Sequence, residues 1–217
     1  MTQTAQEPDT QLWVRPFEAA DVLPVIRLYG RLNRRHEPLP RSLLLVGLEE
    51  FSEGQMVAME TSLAADGGER LVGAACARRV GWNQDPPPDW KGCLATAEEE
   101  AKAPDTLFSI LRLEEPAGPR EAVRDLLLEA QQRQTTEMGL AQMVTAAPLN
   151  GYALFAAEED PNTYLERVLA GHRHDPALAF YLERDFVPAG IVAGYPGGGG
   201  DEKFGLLLSW ASPTQVN

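Results

Sequence analysis

The stretch EEPAGPREAVRDLLLEA, residues 114–130, combines acidic side chains with the start of a helix. It reads as a strand end, a tight turn and a helix. The first N–H groups of a helix lack intrahelical acceptors, and its positive dipole end favours an anion, so such a junction can hold a phosphate. A phosphate-cradling turn normally uses glycine so that the backbone can close on the anion. Here the helix opens through Ala122 and Arg124, and taken alone the stretch is most simply a loop and an amphipathic helix. Other reactive side chains are scattered. His172 and His174 are two residues apart and do not share a helix face. No carboxylate or cysteine stands at metal-ligand spacing from them, so no metal site is expected. Cys76 and Cys93 lie in apolar sequence without a CxxC pair and read as buried thiols, with a catalytic cysteine as the minority reading.

The elements that would position these groups follow from periodicity and punctuation. With 217 residues, 44% hydrophobic, the chain can bury a sizeable core. Its 19 Lys and Arg against 32 Asp and Glu leave a charge of −13, which disfavours nucleic acid and anionic membranes. No basic start, no apolar leader and no membrane-length apolar run is read, so a cytoplasmic location is expected. A strand is predicted around Trp13–Arg15, then a helix bearing Val22, Val25, Ile26 and Leu28 with Pro24 in its first turn. PRSLLLVGLEEF predicts a second helix. GQMVAMETSLA and ERLVGAACARRV predict strands joined through an Asp66-Gly67-Gly68 turn. GWNQDPPPDWKG predicts a long loop anchored by Trp82 and Trp90, and LATAEEEAKA a short helix. TLFSILRL reads as a central strand. Residues 119–138 read as a helix with Val123, Leu126, Leu127 and Ala130 on one side. AQMVTAAPL is a strand. Asp160 and Asp175, each followed by proline, cap two more helices, and FVPAGIVAGY and KFGLLLSW are final strands around a Gly197–Gly200 hairpin tip. The reading is one mixed α/β domain over residues 12–211, with loose ends at 1–11 and 212–217.

This order of elements resembles the GNAT superfamily of acyl-CoA-dependent N-acyltransferases. VRPFEAADVLPVIRLYGRL is similar to the family's opening strand and first helix, ERLVGAACA to its third strand, and DPALAFYLERDFVPAG to the helix and strand near its end. APLNGYALF, TYLERVLAGHRHDPALAFYL and LLLSW are similar to a branch with Pro-Gly-Tyr, a Tyr-bearing helix, Asp-Pro and a terminal Trp. Some members of that branch are joined to nitrilase-type hydrolases, and no such segment is read in these residues.

The resemblance implies a mostly antiparallel sheet of six or seven strands with helices on both faces. The fourth and fifth strands would splay apart around the pantetheine of acetyl-CoA. The cofactor-binding residues implied are Leu111, Arg112 and Leu113 on the fourth strand, and Gly118, Arg120, Glu121, Ala122, Val123 and Arg124 on the turn and helix. The family's turn is Arg/Gln-x-x-Gly-x-Gly/Ala. Pro119, Ala122 and Arg124 stand at those three positions and all differ, while Pro116 keeps the family's proline. Arg124 is expected to block the pyrophosphate. Calorimetric titration with acetyl-CoA should therefore show tighter binding for Arg124→Gly; weaker binding would mean that the guanidinium clasps a phosphate. The resemblance makes Tyr181 a candidate general acid toward the leaving thiolate, beside a core-packing reading. It makes Glu115, with Glu114, a candidate base, beside a reading as solvated carboxylates. His174 stands where the family often has Asn, and Trp82, Tyr152 and Tyr195 are candidates to line an acceptor pocket. Two functions stay open: acetyl transfer from acetyl-CoA to an amine, in a fold that allows a homodimer, or a GNAT-fold binding or assembly module that has lost acyl-CoA binding.

Overall fold

A computed structural model of the protein describes residues 10–33, 38–63, 68–82, 89–98, 104–115, 120–196 and 203–213. The elements are β1 (Thr10–Pro16), α1 (Val22–Leu32), α2 (Arg41–Glu50), β2 (Gln55–Ser62), β3 (Glu69–Val80), α3 (Trp90–Glu98), β4 (Thr106–Glu114), α4 (Arg120–Glu137), β5 (Gln142–Pro148), α5 (Pro161–Leu169), α6 (Pro176–Leu182), β6 (Val187–Val192) and β7 (Gly205–Ala211). Short 3-10 turns at Ala19–Asp21, Ser52–Gly54 and Asn150–Leu154 join some of them. The seven strands are ordered β1-β2-β3-β4-β5-β7-β6, with β4 and β5 parallel and β1/β2, β2/β3, β5/β7 and β6/β7 antiparallel. The expected mixed, mostly antiparallel sheet is present. Among the described residues, no helix is long and apolar enough to cross a membrane.

The residues group into two compact units. The first holds residues 1–76 and 111–130. Its strands pair in register from Thr10↔Ser62 to Pro16↔Met56, and β2 with β3 from Gln55↔Cys76. Alternation turns Met56 and Ala58 of β2 and Ala75 of β3 to one face, Val72 joins them at the register shift, and Val123, Leu127 and Ala130 of α4 cover them. Gly73 permits this close approach: a Cβ there would lie 2.8 Å from Val123 Cγ1 and 2.9 Å from the Leu113 carbonyl. Leu126 is only half-buried, whereas Leu128 is fully buried, which corrects the predicted helix face. α1 buries Val22, Val25 and Leu28, the i, i+3, i+6 stripe of an amphipathic helix.

The second unit holds residues 77–110 and 131–217. Phe108, Val144, Ala146, Val192 and Leu207 form one sheet face, covered by Trp90 and Cys93 of α3. Trp82 and Trp90 both pack on Phe108, with ring centroids 5.4 and 5.8 Å from it. The helix begins at Trp90, so the end of the proline-rich stretch is helical and not loop. Its start is capped by Asp89, which accepts from Gly92 N at 2.7 Å. On the opposite face, Ser109 of β4 donates to Gln131 of α4 at 3.1 Å, so this unit carries helical cover on both sides. The parallel ladder covers only Thr106↔Gln142 to Phe108↔Val144, although β4 runs to Glu114 and β5 to Pro148. The turn residues Asp66 and Gly67, the prolines 86–88, residues 99–103, the turn 116–119 and the Gly197–Gly200 run lie outside the described residues.

The corner between β1 and α1 carries a titratable lock. Asp21, 6% exposed, accepts from Arg15 Nη1 at 2.6 Å, Arg15 Nη2 at 2.8 Å and Glu18 N at 2.8 Å. Burial pushes its carboxyl upward, but the Arg15 and Glu18 donors outweigh burial and hold it below the ordinary carboxylate value. Stability from a lowered carboxyl is fully present above the unfolded pKa of about 3.9 and is lost as pH falls through the folded value. Asp21→Asn should therefore cost about 1–3 kcal/mol at pH 7. Urea unfolding should show the wild-type and mutant curves converging below about pH 4. A stability gap that ignores pH would assign the loss to packing alone.

Candidate functional site

The predicted anion site begins at α4. Gly118, Pro116 and Pro119 lie outside the described residues. The helix starts at Arg120, so the backbone N–H groups of Arg120, Glu121, Ala122 and Val123 form the turn without intrahelical acceptors. Ala122 is exposed and Val123 is buried in the core below. Arg124 is half-buried and falls in the second turn, one step beyond the first-turn place assigned to it from sequence. On β4, Leu111 and Arg112 are half-buried and Leu113 is buried.

Glu115 stands between two guanidiniums. Arg31 Nη2 lies 3.2 Å from its Oε1, and Arg70 Nη1 bonds its Oε2. Arg70 also meets Glu60 at 2.5 Å, and its guanidinium pKa is raised first by that hydrogen bond. The backbone of Glu115 donates to Val72 O at 2.8 Å. The candidate base is thus fixed at the strand end, with an arginine on each oxygen.

Tyr181 is 7% exposed and packed edge-on against Phe180 at 5.0 Å and Phe186 at 5.4 Å. Its ring therefore contributes to the core. The pocket trio separates: Trp82 and Tyr195 both pack on the α3-covered cluster, whereas Tyr152 packs against Tyr164 and Phe204. His172 and His174 are exposed at the rim of a depression of about 470 Å³ floored by Val168, Ala179 and Leu182. Among the described residues, no three His, Cys, Asp or Glu side chains converge as a metal site. Both cysteines are buried. Burial pushes the Cys76 thiol up to about 12 and, with Asp89 adding to it, the Cys93 thiol up to about 11.

A polar network joins residues that sequence reading separated. Asp175, 1% exposed, caps α6 through Oδ1, accepting from Ala177 N at 3.0 Å and Leu178 N at 3.4 Å. Its Oδ2 accepts from the Tyr164 hydroxyl at 2.9 Å and from Gly151 N at 3.2 Å. Tyr164 is fully buried; burial first, then the Asp175 charge, raise its phenol well above the ordinary value, so it stays a donor. Phe155 stacks on Tyr164, and the Arg173 guanidinium lies 3.4 Å over the Phe155 ring. Glu159 pairs with Arg167 at 2.6 Å and Arg173 at 3.1 Å. The Asp-Pro signal was legible as a cap; its second oxygen, serving partners 11 and 24 residues away, was not.

Gly151 is required by this geometry. A Cβ there would lie 2.2 Å from the Tyr164 hydroxyl oxygen. Tyr164→Phe should cost about 1–3 kcal/mol by stripping a donor from a buried carboxylate. Gly151→Ala should cost at least as much through overpacking, on the order of 1–3 kcal/mol. Because the phenylalanine removes the atom that the new methyl strikes, the double mutant should lose less than the sum, by about 1 kcal/mol. Additive losses in chemical denaturation would show that the two residues do not share this contact.

No family model matches the chain. A curated relative, the "Probable hydrolase YhcX" of Bacillus subtilis (strain 168), is 23% identical over 206 residues, covering 93% of this chain and 39% of that protein. The chain thus spans about two fifths of that relative's length. Among solved structures, the GphF GNAT-like decarboxylase in complex with isobutyryl-CoA superposes with a TM-score of 0.71 at 21% identity, covering 92% of this chain and 98% of that one. The loading GNATL domain of CurA from Lyngbya majuscula gives 0.69 at 15% identity, covering 94% and 100%. The putative acetyltransferase yncA of Salmonella typhimurium, solved with acetyl-CoA, gives 0.56 at 12% identity, covering 95% and 96%. With the parallel ladder between β4 and β5 breaking off after three pairs, these superpositions establish that the chain has the GNAT acyl-CoA N-acyltransferase fold.

Proposed function

We propose that this domain binds acyl-CoA and transfers its acyl group, acetyl in the simplest case, to an amine. The observation that carries the reading is the end of the β4–β5 register at Phe108↔Val144, although β4 runs on to Glu114 and β5 to Pro148. Peptide groups released from a ladder can hold the amide groups of a pantetheine arm and receive a developing oxyanion. The first-turn N–H groups of α4, residues 120–123, are the donors proposed for phosphate. Solved relatives of this fold carry isobutyryl-CoA or acetyl-CoA, which supports the ligand class.

In this reaction the amine nitrogen attacks the thioester carbonyl. A C–N bond forms, the C–S bond breaks, and the thiolate leaves with the bonding pair. The amine proton passes to a base, for which Glu115 is the proposed residue, and the thiolate takes a proton, for which Tyr181 is the proposed donor. Proximity and oxyanion support supply most of the acceleration. The likeness to a GNAT-like decarboxylase supports a second reading, loss of CO2 from a carboxylated acyl-CoA without an amine.

Acetyl-CoA at about ten times its Kd should raise the melting temperature by about 3–6 °C. With an amine substrate in hand, Tyr181→Phe should lower kcat by about 10²–10⁴ and leave acetyl-CoA affinity intact. Absence of any acetyl-CoA shift would favour the module that has lost acyl-CoA binding. Turnover of malonyl-CoA to acetyl-CoA, with none of acetyl-CoA plus amines, would favour decarboxylation.

A further inference from the structure

Asparagine followed by glycine is a reactive pair, and the sequence holds one such pair, Asn150-Gly151. With no Cβ on the second residue, its backbone nitrogen can swing onto the asparagine side chain. That nitrogen attacks the side-chain amide carbon, and its own proton passes to water. A new N–C bond forms and closes a cyclic imide. The bond to the side-chain nitrogen breaks, and that nitrogen takes up a proton and leaves as ammonia. Water then opens the imide at either carbonyl, giving aspartate or, with one extra backbone methylene, isoaspartate. Asn150 is exposed, so water reaches it.

The fold opposes each movement that this reaction needs. Gly151 N donates to Asp175 Oδ2 at 3.2 Å, which fixes the attacking nitrogen and aims its proton at a buried carboxylate. Tyr152 N donates to Leu149 O at 3.2 Å and closes the 3-10 turn across the pair. Rotating the Asn150 backbone toward cyclisation opens that turn. Both flanks are anchored: Leu149 and Tyr152 are buried, and Leu149 N is tied to Phe204 O at 3.1 Å. Gly151 has no room to shift inward, because the Tyr164 hydroxyl lies 2.2 Å from where its Cβ would be. The asparagine side chain is at the solvent, and its reaction partner is locked into the core's edge.

We infer that Asn150-Gly151 is a succinimide-forming modification site which Asp175 holds closed, and that its conversion loosens α6. Isoaspartate at position 150 lengthens the backbone just before Gly151. The Gly151 nitrogen then cannot keep both the turn and its place on Asp175. A carboxylate at 1% exposure loses one of its donors, which destabilises it. The disturbance is passed on because the other oxygen of the same carboxylate caps α6 through Ala177 N and Leu178 N. Tyr181 lies on that helix. An exposed asparagine is thereby connected to the seat of a buried tyrosine. The site needs no acyl-CoA and stands whether or not the domain transfers acyl groups.

Peptide mapping of the full chain by mass spectrometry follows the exchange of NH2 for OH at residue 150. Folded wild type should convert at least about tenfold more slowly than the same chain in unfolding urea, because the turn must open first. Asp175→Ser keeps an oxygen able to cap α6 and removes the one that holds Gly151. Folded Asp175→Ser should convert about tenfold or more faster than folded wild type. Tyr164→Phe leaves the Gly151–Asp175 bond in place and should stay near the wild-type rate. Chain aged to isoaspartate at 150 should melt below fresh chain. Equal rates in buffer and urea, no acceleration in folded Asp175→Ser, equal acceleration by Tyr164→Phe, or an unchanged melting temperature after conversion would each overturn the inference. If Asp175→Ser does not fold, hydrogen exchange in wild type replaces it. The Gly151 N–H should be protected about tenfold or more, and free exchange at that amide would show that Asp175 does not hold it.

Discussion

A carbonyl that loses its ladder partner has to find another donor, and this constraint organises the middle of the sheet. β4 leaves β5 after Val144, and the Ala146 carbonyl passes to Tyr195. For that hydroxyl to arrive, the Tyr195 ring must cross β7, so position 205 has no room for a side chain. The same ring packs on Trp90, which caps the face formed by Phe108, Val144 and Leu207 and fixes the first turn of α3. One missing rung thus accounts for a glycine, an aromatic cluster and the seat of a helix.

Asp175 plays the corresponding part after β5. A carboxylate at 1% exposure is tolerated only when its lone pairs are taken, and four donors from three segments take them. The result ties the 3-10 turn after β5, the middle of α5 and the start of α6 to one group. Tyr181 rides on that same short helix, seven residues long, which has little stability of its own. Its position is set by the cap at one end and by Phe186 packing at the other.

Local chemistry was legible and long-range chemistry was not. Asp160 and Asp175 announced their helices because a cap needs only the next three residues. The order of the last two strands was hidden, since β7 enters between β5 and β6 and no turn signal encodes that. The start of α3 was masked by the prolines before it. Glu115 looked like a solvated carboxylate because its partners, Arg31 and Arg70, lie 84 and 45 residues away. Gly205 looked like an ordinary strand glycine, and its reason is a ring that returns from position 195. The resemblance carried Pro-Gly-Tyr, a Tyr-bearing helix and Asp-Pro as separate phrases, and only the fold brings Gly151, Tyr164 and Asp175 together.

The cysteines narrow the route open to acyl transfer. A covalent route would pass the acyl group to a protein nucleophile before the acceptor, and a thiol serves only as thiolate. Cys76 and Cys93 are both fully buried, with thiols raised to about 12 and about 11, so near neutral pH almost none of either is ionised. Cys93 is further enclosed by Trp90, Phe108 and Val144 in the cluster that supports α3, where an acyl group would find no space. Tyr164 is held protonated by burial and by Asp175, which removes the most buried phenol from the same role. These environments remove Cys76, Cys93 and Tyr164 as acyl carriers. Direct attack by an amine on a thioester would ask a protein only for placement and proton handling.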